Sequence, residues 1–335
     1  MLTSAPPRPA PISPTIKSVP STLPNPPVQV SAAIAFHVTR RSYDAPTPLR
    51  LWHLTSLDAP TVAAVWTLAF AWAAGVRLPM WIPILLALAA WSVYIADRLL
   101  DAHMALRRGE LEVLRERHLF HHRHRRVLIP VAALAACAAA AIVFTLMPTP
   151  ARERNSLLGF AALAYFTRVH SAGLESPGEA ASRSRRFFRK ELLVGLLFTA
   201  ACALPALSRL GGAGNSHNWR LPMLATTCAF ALLAWLNCHA IDHWESSARS
   251  GRSIASLGCL LAFGTGALAA LFAVQQPRIA ALLAAAAASS LLLALLDRLR
   301  ANPTPLALRA LADLVLLTPI VLLAPGLLGP ALPWR

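Results

Sequence analysis

The sequence predicts an all-α polytopic membrane protein, a bundle of nine transmembrane helices with its N-terminus in the cytoplasm. Three observations lead there. Hydrophobic residues make up 56% of the 335 and charged residues only 14%, where a soluble domain carries about 25% charged. The mean hydropathy is +0.53, carried by Ala/Leu-rich blocks that recur from Thr61 to the C-terminus. The bases gather in alternate gaps between those blocks, as the bias of Lys and Arg towards cytoplasmic loops requires.

Taken in order, residues 1–50 read as a tail. Nine prolines fall in its first 35 residues, among them Pro6, Pro7, Pro26 and Pro27, so it is expected to be disordered. It has no positively charged start followed by an apolar run and a small-residue cleavage site. No cleaved signal peptide is therefore expected, and the first true span drives insertion. Residues 51–330 form the membrane domain. A helix crossing about 30 Å of hydrocarbon needs about 20 apolar residues. That ruler finds spans from Thr61 to Leu78, Met80 to Leu100, Val127 to Met147 and, shortest, Ser156 to Phe166. Five more run from Leu192 to Leu207, Leu221 to Ile241, Ile254 to Val274, Ile279 to Leu296 and Leu306 to Leu323.

Nine spans place the termini on opposite sides. With the N-terminus inside, 24 of the 31 bases fall in cytoplasmic segments; seven lie outside, namely Arg77, Arg152, Arg154, Arg209, Arg220, Arg278 and Arg335. The split also checks the count, because removing one span would mix the two classes of loop. In a soluble chain, 31 bases against 15 acids would suggest nucleic acid. Here no aromatic-interleaved basic motif occurs, and topology plus an anionic lipid surface accounts for the charge. The expected partners therefore include membrane lipid and no nucleic acid, and the expected location is the cell (inner) membrane. Cys137, Cys202, Cys228, Cys238 and Cys259 all fall in apolar stretches with no CxxC pair. They are expected to be buried free thiols.

Ionisable groups at the end of a span are costly and point to function. Span two ends in Tyr94-Ile95-Ala96-Asp97-Arg98-Leu99-Leu100-Asp101. Asp97 and Asp101 share one helical face and repel unless a cation lies between them. Magnesium suits such a pair, because it takes one or two protein carboxylates and completes its octahedron with water and phosphate oxygens. Span six ends in Asn237-Cys238-His239-Ala240-Ile241-Asp242-His243-Trp244-Glu245, and Asp242 and Glu245 again share a face. In this topology both ends emerge in the cytoplasm beside most of the arginines, which grip phosphate as bidentate donors. An amphiphilic diphosphate would have its head held by metal and Arg and its tail in the apolar bundle. The plainer reading of each cluster is an interfacial anchor. Glu191, which opens span five, either pairs with Lys190 or Arg189 or faces the site. Arg309 and Asp313, four apart in span nine, read as a neutralising structural pair.

On these residues the chain resembles the UbiA superfamily of intramembrane prenyltransferases, over roughly Leu51 to Leu328. Ala96-Asp97-Arg98-Leu99-Leu100-Asp101 is similar to the DRxxD half of that family's first aspartate-rich motif, which follows helix two of nine. The second acidic cluster stands at the matching place after helix six. Val93 occupies the position of the first motif's opening Asn, and Asp242, Glu245 and Ser246 stand where the second motif reads DxxxD. Tyr165 and Arg168 look similar to a Tyr and basic pair that follows helix four. The resemblance implies a Mg2+-dependent transfer of an isoprenoid from a polyprenyl diphosphate to a small acceptor such as an aromatic ring. It implies Asp97, Asp101 and Asp242 as metal ligands, with Glu245 completing the catalytic set. Arg98, Arg168 and Lys190 become charge partners of the diphosphate. Asn237, Tyr94 and Tyr165 complete the substrate-binding set, the aromatic rings (with Trp91) facing an allylic cation.

Eleven histidines support a different class. His118-Leu119-Phe120-His121-His122 fits HxxHH and His239 to His243 fits HxxxH, as in the boxes of membrane di-iron oxygenases and desaturases. Those enzymes need a third box, which His37, His53, His103, His124, His170 and His217 do not form. The plain reading of Arg115 to Arg126 is a short charged helix lying on the lipid surface; an intermediate one places it over the diphosphate. A third class is a non-enzymatic multispan carrier or a family member without activity. No inverted repeat or Gly/Pro-broken pair of spans favours a transporter.

Overall fold

A computed structural model describes residues 47–109, 115–171, 180–210, 219–245 and 253–328, without the side chains of 108, 168–171, 180–190 and 325–328. Most of the proline-rich tail, most of the Ser171 to Ser184 loop and His217 lie outside the described residues. Among the described residues every regular element is helical and no strand occurs.

Helix α1 (Pro48–Leu54) starts on Pro at its first turn, with the Thr47 hydroxyl accepting from Arg50 N, the usual chemistry of a helix start. It meets α2 (Asp58–Ala74) at a bend of 91°, made possible by Ser56 at φ 56°. The indole of Trp91 braces this turn by donating to Thr55 O at 2.9 Å. Gly75, at φ +66°, ends α2 in the left-handed conformation that glycine adopts without strain. Then come α3 (Trp81–Arg108), α4 (Glu116–Arg123), α5 (Arg125–Thr145), α6 (Thr149–Ser171) and α7 (Ala180–Leu210). They are followed by α8 (Arg220–Glu245), α9 (Ile254–Phe272), α10 (Pro277–Leu299) and α11 (Pro305–Leu314). A 3-10 turn (Val315–Leu317) separates α11 from α12 (Ile320–Leu328). The last apolar stretch is thus two short helices about a break, where a single straight span was expected.

Among the described residues six helices are long and apolar enough to cross a membrane: α3, α5, α7 from Glu191, α8, α9 and α10; the bent pair α1–α2 makes seven if counted as one span. The outer faces fit that reading. Leu134, Phe144, Leu157, Phe160, Phe263 and Val274 are each at least two-thirds exposed, a liability in water and ordinary lipid contact in a bilayer. The protein is a multi-pass membrane protein. The five cysteines are free, as expected, but only Cys202 is buried; Cys238 is half-buried, and Cys137, Cys228 and Cys259 are exposed. Apolar context in the sequence does not distinguish a core-facing thiol from a lipid-facing one.

Helix α2 is the hub and packs on α3, α7 and α10. Trp66 stacks on Phe230 of α8 at 3.9 Å, and Phe70 meets the same ring edge-on at 5.8 Å. The Trp66 indole donates to Leu316 O at 2.8 Å, giving a partner to a carbonyl of the 3-10 turn. Helices α9 and α10 approach through small residues: a Cβ on Gly258 would lie 2.8 Å from Ser290 O and 2.9 Å from Ala294 Cβ, the close backbone contact typical of membrane helices. Asp297 of α10 caps α9 by accepting from Ala255 N at 2.9 Å, and it also accepts from the Trp244 indole at 2.8 Å.

Candidate functional site

Three clusters of ionisable side chains gather around the ends of α3 and α8, the start of α2 and the second half of α11. The first is the expected pair on α3. Asp97 and Asp101 stand one turn apart, and their side chains keep 32% and 40% of their exposure. Arg98 Nη1 lies 3.6 Å from Asp97 and His118 Nε2 lies 4.0 Å from Asp101. Arg98 is buried, with its guanidinium 5.7 Å from the centre of the Tyr94 ring.

The second is at the end of α8. Glu245 is only 16% exposed and is gripped by three guanidinium groups. Arg309 Nη1 donates at 2.9 Å, Arg117 Nη1 at 3.1 Å, and Arg115 lies 2.5 Å from the other oxygen. Asp242, one turn back, sits half-buried in the field of Glu191 and Glu245. Glu191 has His239 Nδ1 3.1 Å from its carboxylate; the side chains of Arg189 and Lys190, the partners expected for it, lie outside the described residues.

Helix α4 joins the two. It packs on α1, α3 and α5. It presents His118 towards Asp101 and Arg117 to Glu245, with Arg117 Nε 3.4 Å from His118 Nε2. Arg50 of α1 pairs with Glu116 at its start. Arg117, His118 and His121 are all buried, which corrects the expectation of a helix lying on lipid. Hydrophobic pattern could not show this, because what α4 buries is polar. His121 Nδ1 meets Arg117 O at 2.7 Å, so that nitrogen carries the proton; Nε2, 3.2 Å from Ser56 Oγ, accepts from the hydroxyl. Burial pushes His121 down to about 4. Burial, aided by Arg117 and Arg98, pushes His118 down to about 3. Both imidazoles are neutral at physiological pH.

The third cluster lies deeper. His53 of α1, Asp58 at the first position of α2 and Asp313 of α11 have ligand atoms all within 4.8 Å of one another. His53 Nδ1 donates to Asp58 Oδ2 at 2.7 Å and lies 3.8 Å from Asp313 Oδ2. Asn237 Nδ2 of α8 donates to Asp313 Oδ1 at 3.0 Å. Asp58, Tyr94, Phe198, Asn237, Cys238 and Asp313 line an adjoining cavity of about 50 Å³.

Several expectations change against this geometry. Arg309 and Asp313 lie within electrostatic reach of each other, as expected of a neutralising pair, but their hydrogen bonds go elsewhere: Arg309 bonds Glu245 and Asp313 bonds Asn237. Asp97, Asp101 and Asp242 do not form a group of donor atoms within mutual ligand reach; among the described residues the one such group is His53, Asp58 and Asp313. The box histidines diverge, His121 to Ser56, His122 to Arg125 and His239 to Glu191. Tyr165 has a buried hydroxyl without a hydrogen-bond partner. The side chains of Arg168 and Lys190 lie outside the described residues.

No family model, no curated protein and no solved structure matches this chain. Its chemistry therefore rests on its own residues. The mouth formed by α3, α4 and α8 combines partly exposed carboxylates with a buried arginine group, a composition suited to a metal-bound anion. Sequence reading missed Arg309, His53, Asp58 and Asp313 as members of these clusters. One signal was available: in the nine-span topology the starts of spans one and nine share a side with the ends of spans two and six.

Proposed function

We propose that this chain is an integral membrane prenyltransferase similar to the UbiA superfamily. It moves an isoprenoid from a polyprenyl diphosphate to a small acceptor at a cytoplasmic mouth. In this reading nine spans run through the cell (inner) membrane with the N-terminus inside: α2, α3, α5, α6, α7, α8, α9, α10 and the broken α11–α12. The observation that carries it is the bridge made by α4, which links the acid-rich ends of α3 and α8 through His118 and Arg117. Both clusters thereby belong to one polar mouth above an apolar bundle.

The residues fit magnesium in part. Asp97 and Asp101 lie on one face and stay partly exposed, so an ion held there keeps positions for water and phosphate oxygens. Asp242 stands on the second side, beside Glu191. Glu245 does not fit as a ligand, because its oxygens are engaged by Arg115, Arg117 and Arg309. Its work is to aim those arginines. Arg309 Nε is buried without an acceptor, and a diphosphate oxygen supplies one. Arg98, Arg117 and Arg309 hold the head group as fixed donors, while Tyr94 and Tyr165 offer ring faces to the allylic end. When bound, magnesium neutralises charge on the departing diphosphate.

The test is equilibrium binding of a prenyl diphosphate to detergent-purified protein with and without Mg2+. Binding is expected only with the ion, and Asp97→Asn and Asp101→Asn are each expected to weaken it strongly. Metal-independent binding, or binding retained in both variants, overturns the reading. Stoichiometric iron in the purified protein would favour the oxygenase class, and substrate flux in proteoliposomes without turnover would favour the carrier.

A further inference from the structure

We propose that His53, Asp58 and Asp313 hold one divalent first-row transition-metal ion, with Asn237 as a fourth donor. The site is separate from the carboxylates assigned to magnesium and does not depend on that assignment. Its three ligand atoms come from α1, α2 and α11 and lie within 4.8 Å of one another. Around a zinc-like ion, tetrahedral donors at 2.0–2.2 Å sit about 3.4 Å apart. The observed 2.7 Å from His53 to Asp58 and 3.8 Å from His53 to Asp313 straddle that value.

Charge and hydrogen bonding ask for a cation there. Two carboxylates this close, in a setting where His53 and Asp58 are 3% exposed, repel unless something positive lies between them. A divalent ion with two carboxylates is neutral overall, the form that burial tolerates. A proton alone leaves Asn237 Oδ1 unmet. That atom is buried without a hydrogen-bond partner on a residue only 5% exposed, while its amide nitrogen already binds Asp313. An ion gives Oδ1 a partner, and the adjoining cavity of about 50 Å³ has room for a water ligand.

The donor set selects the ion. One imidazole, two carboxylates and an amide oxygen make a low-coordinate N/O donor set that suits zinc. It falls short of the six to eight oxygens calcium takes and departs from the all-oxygen shell of magnesium. The ion would staple α1 and α11, otherwise remote in sequence, onto the hub helix α2.

The experiment uses full-length protein in detergent, stripped with a chelator. Zn2+ retention after desalting is measured by elemental analysis, and Co2+ is titrated while visible absorption is followed. The expected result is about one retained equivalent and an intense d–d band of low coordination number. Asp313→Asn and His53→Gln are expected to lower retention about tenfold or more, while Asp97→Asn, at the magnesium pair, keeps it. No retention by the wild-type chain overturns the proposal in favour of a proton-shared triad. So does retention unchanged in both variants, or equal loss in Asp97→Asn. If His53→Gln and Asp313→Asn fail to fold, the wild-type Co2+ spectrum decides: a weak octahedral band, or none, is the overturning result.

Discussion

The carboxylates that end α3 and those that end α8 have similar helical spacing, and they keep very different company. Asp97 and Asp101 stay about a third exposed, with the Arg98 guanidinium at 3.6 Å and the neutral His118 imidazole at 4.0 Å. Glu245 is half as exposed and is held by three arginines at 2.5 to 3.1 Å. An acid already saturated by guanidinium groups organises those groups; an acid still open to water can give its oxygens to an ion. Spacing finds acids, and the partners that the fold brings to them decide their use.

The strongest way to break that contrast is Glu245→Ala. Removing the shared partner of three arginines leaves buried positive charge without compensation, a loss of roughly 3–5 kcal/mol. A large drop in the detergent unfolding midpoint is expected, and a drop no greater than that of Asp101→Ala would put the two ends on the same footing.

The bridge between the ends is pH-sensitive in a defined direction. His118 and His121 titrate in the folded chain at about 3 and about 4, below the ordinary 6.5 of an unfolded imidazole. The folded state therefore resists protonation that the unfolded state accepts. Stability is full above pH 6.5 and falls as the pH drops towards 4, by up to about 1.4 kcal/mol per unit and per site. Unfolding midpoints should hold from pH 7.5 to about 6.5 and then fall steadily to pH 5, and His121→Gln should make that fall shallower; a flat wild-type profile below pH 6.5 would contradict the buried, neutral bridge.

Away from both ends, Gly258→Leu tests whether their coupling is local. The side chain meets Ser290 O and Ala294, and overpacking of this kind costs about 1–3 kcal/mol. Diphosphate binding should persist in the folded fraction. The smallest effect on stability belongs to Asp97→Asn and Asp101→Asn, each within about 1 kcal/mol as expected of exposed pairs. Equal thermal midpoints alongside lost diphosphate binding would sharpen the contrast most.

Much of the architecture was legible because lipid imposes a simple rule, a long apolar run for each crossing. Helix starts at Trp81, Arg125, Ile254 and Pro277 fall close to where hydropathy puts them. The break at Val315–Leu317 was hidden, since Leu and Val read as span whichever way the backbone turns. Asp97, Asp101, Asp242 and Glu245 stood out as rare charges at span ends. His118 and His121 stood out only as a histidine box, and the partners they and Arg117 take, Asp101, Ser56 and Glu245, were hidden, because a charged octapeptide looks solvated until the fold brings those groups to it. The His53, Asp58 and Asp313 cluster joins residues up to 260 positions apart, a pairing that no local pattern carries.

The central claim is that the ends of α3 and α8 act on one ligand. Mg2+-dependent affinity for a prenyl diphosphate, measured side by side for wild type, Asp97→Asn, Arg117→Gln and the double variant, tests it directly. Strong loss in each single variant and a double loss smaller than the two combined, by about 0.5–3 kcal/mol, is the expected result. Full affinity in either single variant, or strictly additive losses, would contradict it.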